Sequence, residues 1–487
     1  MRSRVEGLDV ARAIAILAMV LINFQVFLLS PPTEQLGDFT WRWLIHTPSG
    51  RSSSLFVTLA GAGIALMARS PDRRAVRFTL LKRALFLLVA GNLLILVWWI
   101  DILHFYAFFV AIAALLFLRF SRRELLLGAV AVAGLAGLLD AAFEWPDRVY
   151  WTPLGMLQNV FVDGVHPVLP WIAFVMVGLW IGSHDLSEVG TRRRIMLGAA
   201  LLAGIAELLS AALGALAAEQ RWAPELAGLL GTGWSPEPLF VVGASSTAVF
   251  LITASQEAAE RWRGSRVIRA LVSTGQLSLS IYILHALVGV GIPRWVMGLE
   301  DAVEWPAVTA WWAVFCALVV LGAWAYRARF SRGPLEWVMR KLCGSTPPAA
   351  PTPEPRPTRS PPRWPWIAVA GAAVAVLAIR WVGIAQPAWG CGEDVVLRDR
   401  VASELTLSCP RRGFVLEVDA PREVTLETAS SLDVFLELWG PTKRVAVDDD
   451  SGEGLNPRLE RALRPGTYRV VVRPYHRALG AFSLFVR

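Results

Sequence analysis

An all-α polytopic membrane bundle of about ten helices, with one further C-terminal span and a small antiparallel β-sandwich, is the fold class this sequence predicts. Three observations carry the prediction. Hydrophobic residues make up 55% of the 487 and charged residues only 18%, and mean hydropathy is +0.49, which is more apolar surface than a soluble core of this length buries. Apolar runs of about 17 to 25 residues recur almost to the end, each long enough as a helix to cross roughly 30 Å of hydrocarbon. From residue 391 onward the helical period gives way to strict alternation.

In chain order the runs are 8–30, 52–68, 80–99, 101–118, 124–142, 166–183, 195–217, 238–254, 271–290, 306–325 and 365–384. The opening "MRSRVEGLDVARAIAILAMVLINF" has the basic start and apolar middle of a signal peptide, but no small-residue cleavage site follows Asn23 and Phe24, so it is read as a span. A net charge of +8 and a pI near 9.8 would suggest nucleic acid in a soluble chain. Here the basic residues fall in alternate loops instead, around Arg73, Arg122, Arg192 and Arg263, on one side with Arg2 and Arg4. That side is the cytoplasm, and no nucleic-acid partner is expected. The acidic loops, with Glu34, Glu144, Asp163, Glu225 and Glu300, face outward. The resulting topology is multi-pass, with the N-terminus cytoplasmic and the C-terminal domain extracytoplasmic.

Composition divides the chain into a bundle over 1–343, a proline-rich cytoplasmic linker over 344–363, an additional transmembrane helix over 364–385 and a β-sandwich over 386–487. "FVLEVDA", "EVTLETA", "LDVFLELWG", "RVAVDDDSG", "GTYRVVVRPY" and "GAFSLFVR" alternate apolar with polar residues and are cut by Gly, Pro and Asp turns. Cys316 and Cys343 fall in an apolar run and on the basic side, where thiols stay reduced. Cys391 and Cys409 fall in the predicted outer compartment, where a disulfide between them is expected.

Ionisable groups in or at the rim of a bundle are the candidates for chemistry, because they are costly to keep there. His46 precedes "TPSGRSSS", whose Pro48 and Gly50 break the backbone and whose serines suit an N-cap for the next helix. It reads either as an interfacial loop histidine or as a proton acceptor and acyl carrier. Asp101 and His104, three apart in "WWIDILHFYAFFVA", read either as a polar cap or as a carboxylate orienting a base. His166 opens an outer helix beside Pro167, and His285 reads as a satisfied bundle histidine. On the cytoplasmic side Asp9 and Arg12 form either an intrahelical ion pair or a site for an anionic cofactor. His184 and His476 have no supporting pattern. There is no Walker loop, no dinucleotide fingerprint and no Cys/His metal spacing, so no metal is expected; the run Asp448 to Asp450 reads as a charged β-turn rather than a calcium site.

Two resemblances follow from these stretches. "SSLDVFLELWGPTKRVAVDDDSGEGLNPRLERALRPGTYRVVVRPY" resembles the bacterial pre-peptidase C-terminal domain over about residues 392–487. "GLDVARAIAILAMVLINF", "GRSSSLFVTLAGAGIAL", "DILHFYAFFVAIAALL", "HPVLPWIAFVMVGLWIG", "LSLSIYILHALV" and "RGPLEW" resemble, in that order, the bacterial membrane proteins related to heparan-α-glucosaminide N-acetyltransferase. That resemblance implies a helical bundle that moves an acetyl group from cytosolic acetyl-CoA to an amino sugar across the membrane. It also implies an essential histidine just before the second helix, the position of His46 here. The family is more distantly similar to the membrane acyltransferases that decorate surface polysaccharides. This chain has a shorter first loop and an added sandwich, and bacteria lack heparan sulfate, so a different acceptor is expected.

The function expected from the sequence is therefore acyl transfer from acetyl-CoA or another acyl-CoA to an extracytoplasmic sugar or glycan. Asp9 and Arg12 would stand near the donor, His46 with Asp101 and His104 would act at the outer rim, and Asn23, Arg51 or His166 would meet the substrate or the oxyanion. Membrane lipid is the other expected partner, and a homo-oligomer is left open. The alternative is a proton-coupled transporter or lipid-glycan flippase, with the buried histidines as relays.

Overall fold

The computed structural model describes residues 5–28, 48–98, 100–142, 151–219, 238–299, 303 and 305–344, and then 395–405, 412–430, 432, 434–439, 444–448, 451–452, 456–474 and 480–487. His46, Cys391, Cys409, His476 and the expected span 364–385 lie outside the described residues.

Among the described residues the bundle contains α1 (Glu6–Leu28), α2 (Arg51–Ala68), α3 (Arg73–Ile95), α4 (Leu103–Leu115), α5 (Arg122–Ala142), α6 (Pro153–Gln158), α7 (Val168–Gly182) and α8 (Val189–Glu219). It continues with α9 (Pro238–Arg261), α10 (Arg266–Gln276), α11 (Ser278–Leu284), α12 (Trp305–Arg329) and α13 (Pro334–Cys343). Among the described residues, six helical stretches are long and apolar enough to cross a membrane, or seven if the bent pair Pro153–Asp163 and Val168–Gly182 is one span. The protein is a multi-pass membrane protein.

Burial sorts these helices. The apolar windows of α1, α2 and α9 are 61%, 67% and 67% buried and form the centre, whereas those of α3 and α12 are only 28% buried and turn most of their surface outward, as lipid-facing helices do. α2 and α7 cross closely through small residues. A Cβ at Gly178 would stand 2.1 Å from the Thr58 carbonyl oxygen, and one at Gly61 2.3 Å from that of Val175, so only hydrogen fits at either position.

Three expected elements differ. The run 101–118 yields a helix of 13 residues, about 20 Å long and too short to span, because Asp101 and Ile102 stay outside it, the Asp101 side chain closing a turn on the His104 N–H, and a 3₁₀ turn, Phe117–Arg119, follows it. The run 271–290 is split at Leu277, and its apolar span is Ser278–Val296 with two π-helical segments after α11. The serines after His46 do not cap α2. Gly50, left-handed at φ 67°, is the N-cap residue, and Ser52, Ser53 and Ser54 are buried in the first turn.

The C-terminal region is two stacked sheets. One has the order β1 (Val395–Val396), β3 (Arg412–Val418), β8 (Gly466–Pro474), β5 (Val434–Trp439), β6 (Arg444–Asp448). The other has β2 (Arg400–Leu405), β9 (Gly480–Val486), β4 (Arg422–Ser430), β7 (Arg458–Leu463). All six stretches expected to be strands are strands, and every pairing is antiparallel except β1 with β3. Alternate residues such as Leu416, Val418, Leu426, Leu436, Val470 and Leu484 form the core between the sheets. The Asp448 carboxylate accepts bonds from Ser451 N–H, Ser451 Oγ–H and the Arg458 N–H, which is the chemistry of a turn.

Candidate functional site

The short helix α4 exists in its observed form because of Asp101. Its Oδ2 accepts the backbone N–H of His104 at 3.0 Å, which caps the helix start, and lies 3.1 Å from His104 Nδ1. Its Oδ1 accepts the Tyr282 hydroxyl at 3.1 Å, and that hydroxyl oxygen in turn accepts the Ile102 N–H at 3.1 Å. Asp101 is 0% and His104 3% exposed, so this carboxylate is held away from water by three donors. A carboxylate on Nδ1 fixes the imidazole tautomer and orientation and directs its basicity to Nε2, the arrangement of a general base.

Room for the turn comes from α3. A Cβ at Gly91 would lie 2.4 Å from His104 N and 2.6 Å from Asp101 Oδ2. Gly91→Ala is therefore expected to displace this turn and lower stability by about 1–3 kcal/mol, measured as a shift in thermal unfolding of the detergent-solubilised protein. An unshifted midpoint would show that the turn yields freely.

His285, the C-cap residue of α11, adds a second polar group one turn on from Tyr282. Tyr282 reaches Asp101, and His285 reaches Asn23 of α1, with Asn23 Nδ2 and His285 Nε2 2.8 Å apart. Trp98 packs edge-on to His285 at 5.5 Å between ring centroids and against Phe27 at 4.2 Å, closing the apolar side of the group. Asn23, expected at an oxyanion, and His285, expected to be a bundle histidine, are thus partners, and Tyr282 links the segment that carries His285 to the Asp101–His104 pair. His166 is buried beside Trp171, at 4.5 Å, and Phe105, at 5.9 Å; Phe105 itself lies 3.9 Å from the His104 ring. Asp101, His104, Asn23 and His166 therefore gather in one region of the bundle.

Arg51 has an ionic partner of its own, and its neighbour Phe240 lies 6.4 Å from Trp171, the ring beside His166. Its Nη2 donates to Glu207 Oε1 of α8, both residues are buried, and its guanidinium lies 5.8 Å from the Phe240 ring centroid. Asp9 and Arg12 pair at 2.7 Å, and Gln276 of α10 donates to the other Asp9 oxygen at 3.1 Å. Fourteen helical residues, about 21 Å, separate Asp9 from Asn23, so these polar groups occupy opposite ends of α1. His184 lies past the end of α7 with Nδ1 2.9 Å from the Trp180 carbonyl oxygen, and partial burial pushes its imidazole below the usual histidine range.

Three participants escaped the sequence reading. Glu207 lies in "GIAELLSAAL", and a lone acid in an apolar run is itself a signal. Tyr282 had none, because a tyrosine in a membrane helix is ordinary. Arg192 contacts Glu257 at 2.5 Å and Glu260 at 2.8 Å, and Arg193 contacts Glu257 at 2.8 Å, joining α8 to α9 where a basic loop alone was expected.

Residues 4–212, which include Asp101 and His104, match the family described as heparan-alpha-glucosaminide N-acetyltransferase, catalytic. The bundle resembles the heparan-α-glucosaminide N-acetyltransferases. Residues 183–345, which carry Tyr282 and His285, match a family described as protein of unknown function (DUF418). Among curated proteins none matches. Among solved structures the chain is similar to the pre-peptidase C-terminal domain of collagenase from Bacillus anthracis, with 14% identity and a TM-score of 0.18, over 19% of this chain and 91% of that one.

Proposed function

We propose that the protein is a transmembrane acyltransferase that moves an acetyl or other acyl group from cytosolic acyl-CoA to a sugar or glycan on the far side of the bacterial inner membrane. The observation that carries this reading is the buried Asp101–His104 pair with Tyr282, inside a bundle that resembles an acetyltransferase family. The acceptor hydroxyl or amine attacks the thioester carbonyl, the carbon–sulfur bond breaks, and a carbon–oxygen or carbon–nitrogen bond forms. The acceptor's proton passes to a histidine and then to the departing CoA thiolate. His46 is the base or the acyl carrier, by its match to the family's essential histidine. Asp101 positions His104, and Tyr282 positions Asp101. CoA approaches at the Asp9 and Arg12 end, where the basic loops lie.

Asp101→Asn tests the pair, since it keeps the shape of the group and removes its charge. Transfer from acetyl-CoA to an extracytoplasmic glycan fraction should fall about 10²-fold, with thermal stability followed in parallel. Unchanged transfer would remove the pair from the mechanism, and proton-coupled substrate movement indifferent to acyl-CoA would establish a transporter instead.

The same reading sets the topology, with the N-terminus inside, the 344–363 linker inside, 364–385 crossing once more and the 386–487 sandwich outside. An alkaline-phosphatase fusion after Arg487 should be active and one within the linker inactive. The reverse result would invert the orientation.

A further inference from the structure

A cavity of about 530 Å³ opens at the end of the bundle where α1 begins and α12 ends. Its lining includes Arg263, Arg269, Arg327, Gln276, Trp324 and one acid, Glu6. Three guanidinium groups against one carboxylate leave the lining net positive by two. Guanidinium forks match the oxygens of a phosphate, so the charge and the chemistry select a phosphate-bearing anion.

The surface beside the cavity indicates which phosphate-bearing molecule fits. On α12, Val314, Leu318, Leu321 and Trp324 recur at helical spacing and are 52%, 63%, 61% and 49% exposed, so they form an apolar stripe along the helix that ends at the cavity wall. Arg327 stands one turn beyond Trp324, with Nη1 donating to the Phe330 carbonyl at 2.9 Å, which holds the side chain at this end of the helix. The neighbouring α10 and the turn before it add exposed apolar residues at the same level, Trp262 at 53% and Val267 at 68%. Tryptophan and arginine together at a helix end mark the membrane–water interface. An acyl stripe that runs directly into a basic hollow is the shape of a phospholipid, with its chains on the stripe and its phosphate in the hollow.

We infer that this cavity is a binding site for an anionic phospholipid, whose phosphate is held by Arg263, Arg269 and Arg327 and whose acyl chain lies along Val314, Leu318, Leu321 and Trp324. In the proposed topology the lipid belongs to the cytoplasmic leaflet, but the site does not depend on acyl transfer. The nucleotide end of an acyl-CoA carries the same phosphate chemistry. It lacks the acyl chain adjoining the phosphate that the stripe would cover.

The test uses the full chain in lipid nanodiscs of phosphatidylcholine with and without phosphatidylglycerol. Bound lipid is counted by native mass spectrometry after detergent extraction, and thermal unfolding is followed in the discs. Phosphatidylglycerol should be retained in preference to phosphatidylcholine and should raise the unfolding midpoint, and high salt should weaken both effects. Each of Arg263→Gln and Arg269→Gln, on exposed residues that tolerate change, should lower retention about fivefold. Trp324→Ala should lower retention while leaving its salt dependence intact. Equal retention of the two lipids, or retention unchanged in the arginine variants, would overturn the assignment. So would stabilisation by CoA in pure phosphatidylcholine discs that is lost in the same arginine variants, since the cavity would then hold the nucleotide end of the donor.

Discussion

His46→Ala is expected to abolish acyl transfer, lowering the rate by about 10²- to 10⁴-fold if the imidazole serves as a base, and to the limit of detection if it carries the acyl group. Two residues after it, Pro48 opens the turn that ends at the left-handed Gly50, and Ser52 N–H closes that turn on the Pro48 carbonyl at 3.0 Å. With the nucleotide end of CoA held from the cytoplasmic side in the proposed reading, expression, unfolding temperature and acyl-CoA affinity should stay near those of the parent. His285→Ala should behave oppositely. It removes the partner of a buried Asn23 amide and a ring packed on Trp98 and Tyr282, so the loss should appear first in stability. Both variants are assayed for transfer and for thermal unfolding in detergent. A fully active His46→Ala protein would return this residue to an ordinary loop histidine and move the search for the base to His104.

What the sequence reveals of this site depends on how far apart the partners lie along the chain. Asp101 and His104 are three apart at a helix start, where spacing alone brings them together, and Asp9 with Arg12 is the same case. Tyr282 and Asp101 are 181 residues apart, Arg51 and Glu207 156, and Asn23 and His285 262. No local period encodes such pairs, so each appears in the sequence only as an isolated polar residue in an apolar run. The same distinction governs the fold. Hydropathy finds the apolar runs because removal from water, into the bundle or into lipid, is their cause, and alternation finds six strands because one face of each is buried. It misses β7, "RLERAL", whose outward residues Arg458, Glu460, Arg461 and Ala462 leave only Leu459 and Leu463 as the buried marks, four apart as in a helix. It overextends the run 101–118, because apolar content persists after the backbone has left the helix at Leu115.

Glu207→Ala should cost about 3–5 kcal/mol of stability, because it strands the buried Arg51 guanidinium without its carboxylate. The charge has no route to water in compensation: Arg51 is 7% exposed and sits at the first position of α2, under the Phe240 ring of α9. The companion variant separates the pair from its parts. Replacing both partners with apolar residues of similar size, Arg51→Met with Glu207→Leu, removes the two desolvated charges together and should recover most of the stability, since such replacements are often neutral or favourable. Thermal unfolding of the parent, the single variants and the double variant closes a mutant cycle, and a coupling energy of several kcal/mol is the expected result. Additive losses would mean that Arg51 and Glu207 act independently and that the start of α2 is held by packing alone. The two outcomes also bear on chemistry. If the double variant regains its fold and still transfers the acyl group, Arg51 works as an anchor for the helix that follows His46. If it regains its fold and loses transfer, the guanidinium itself serves the reacting carbonyl.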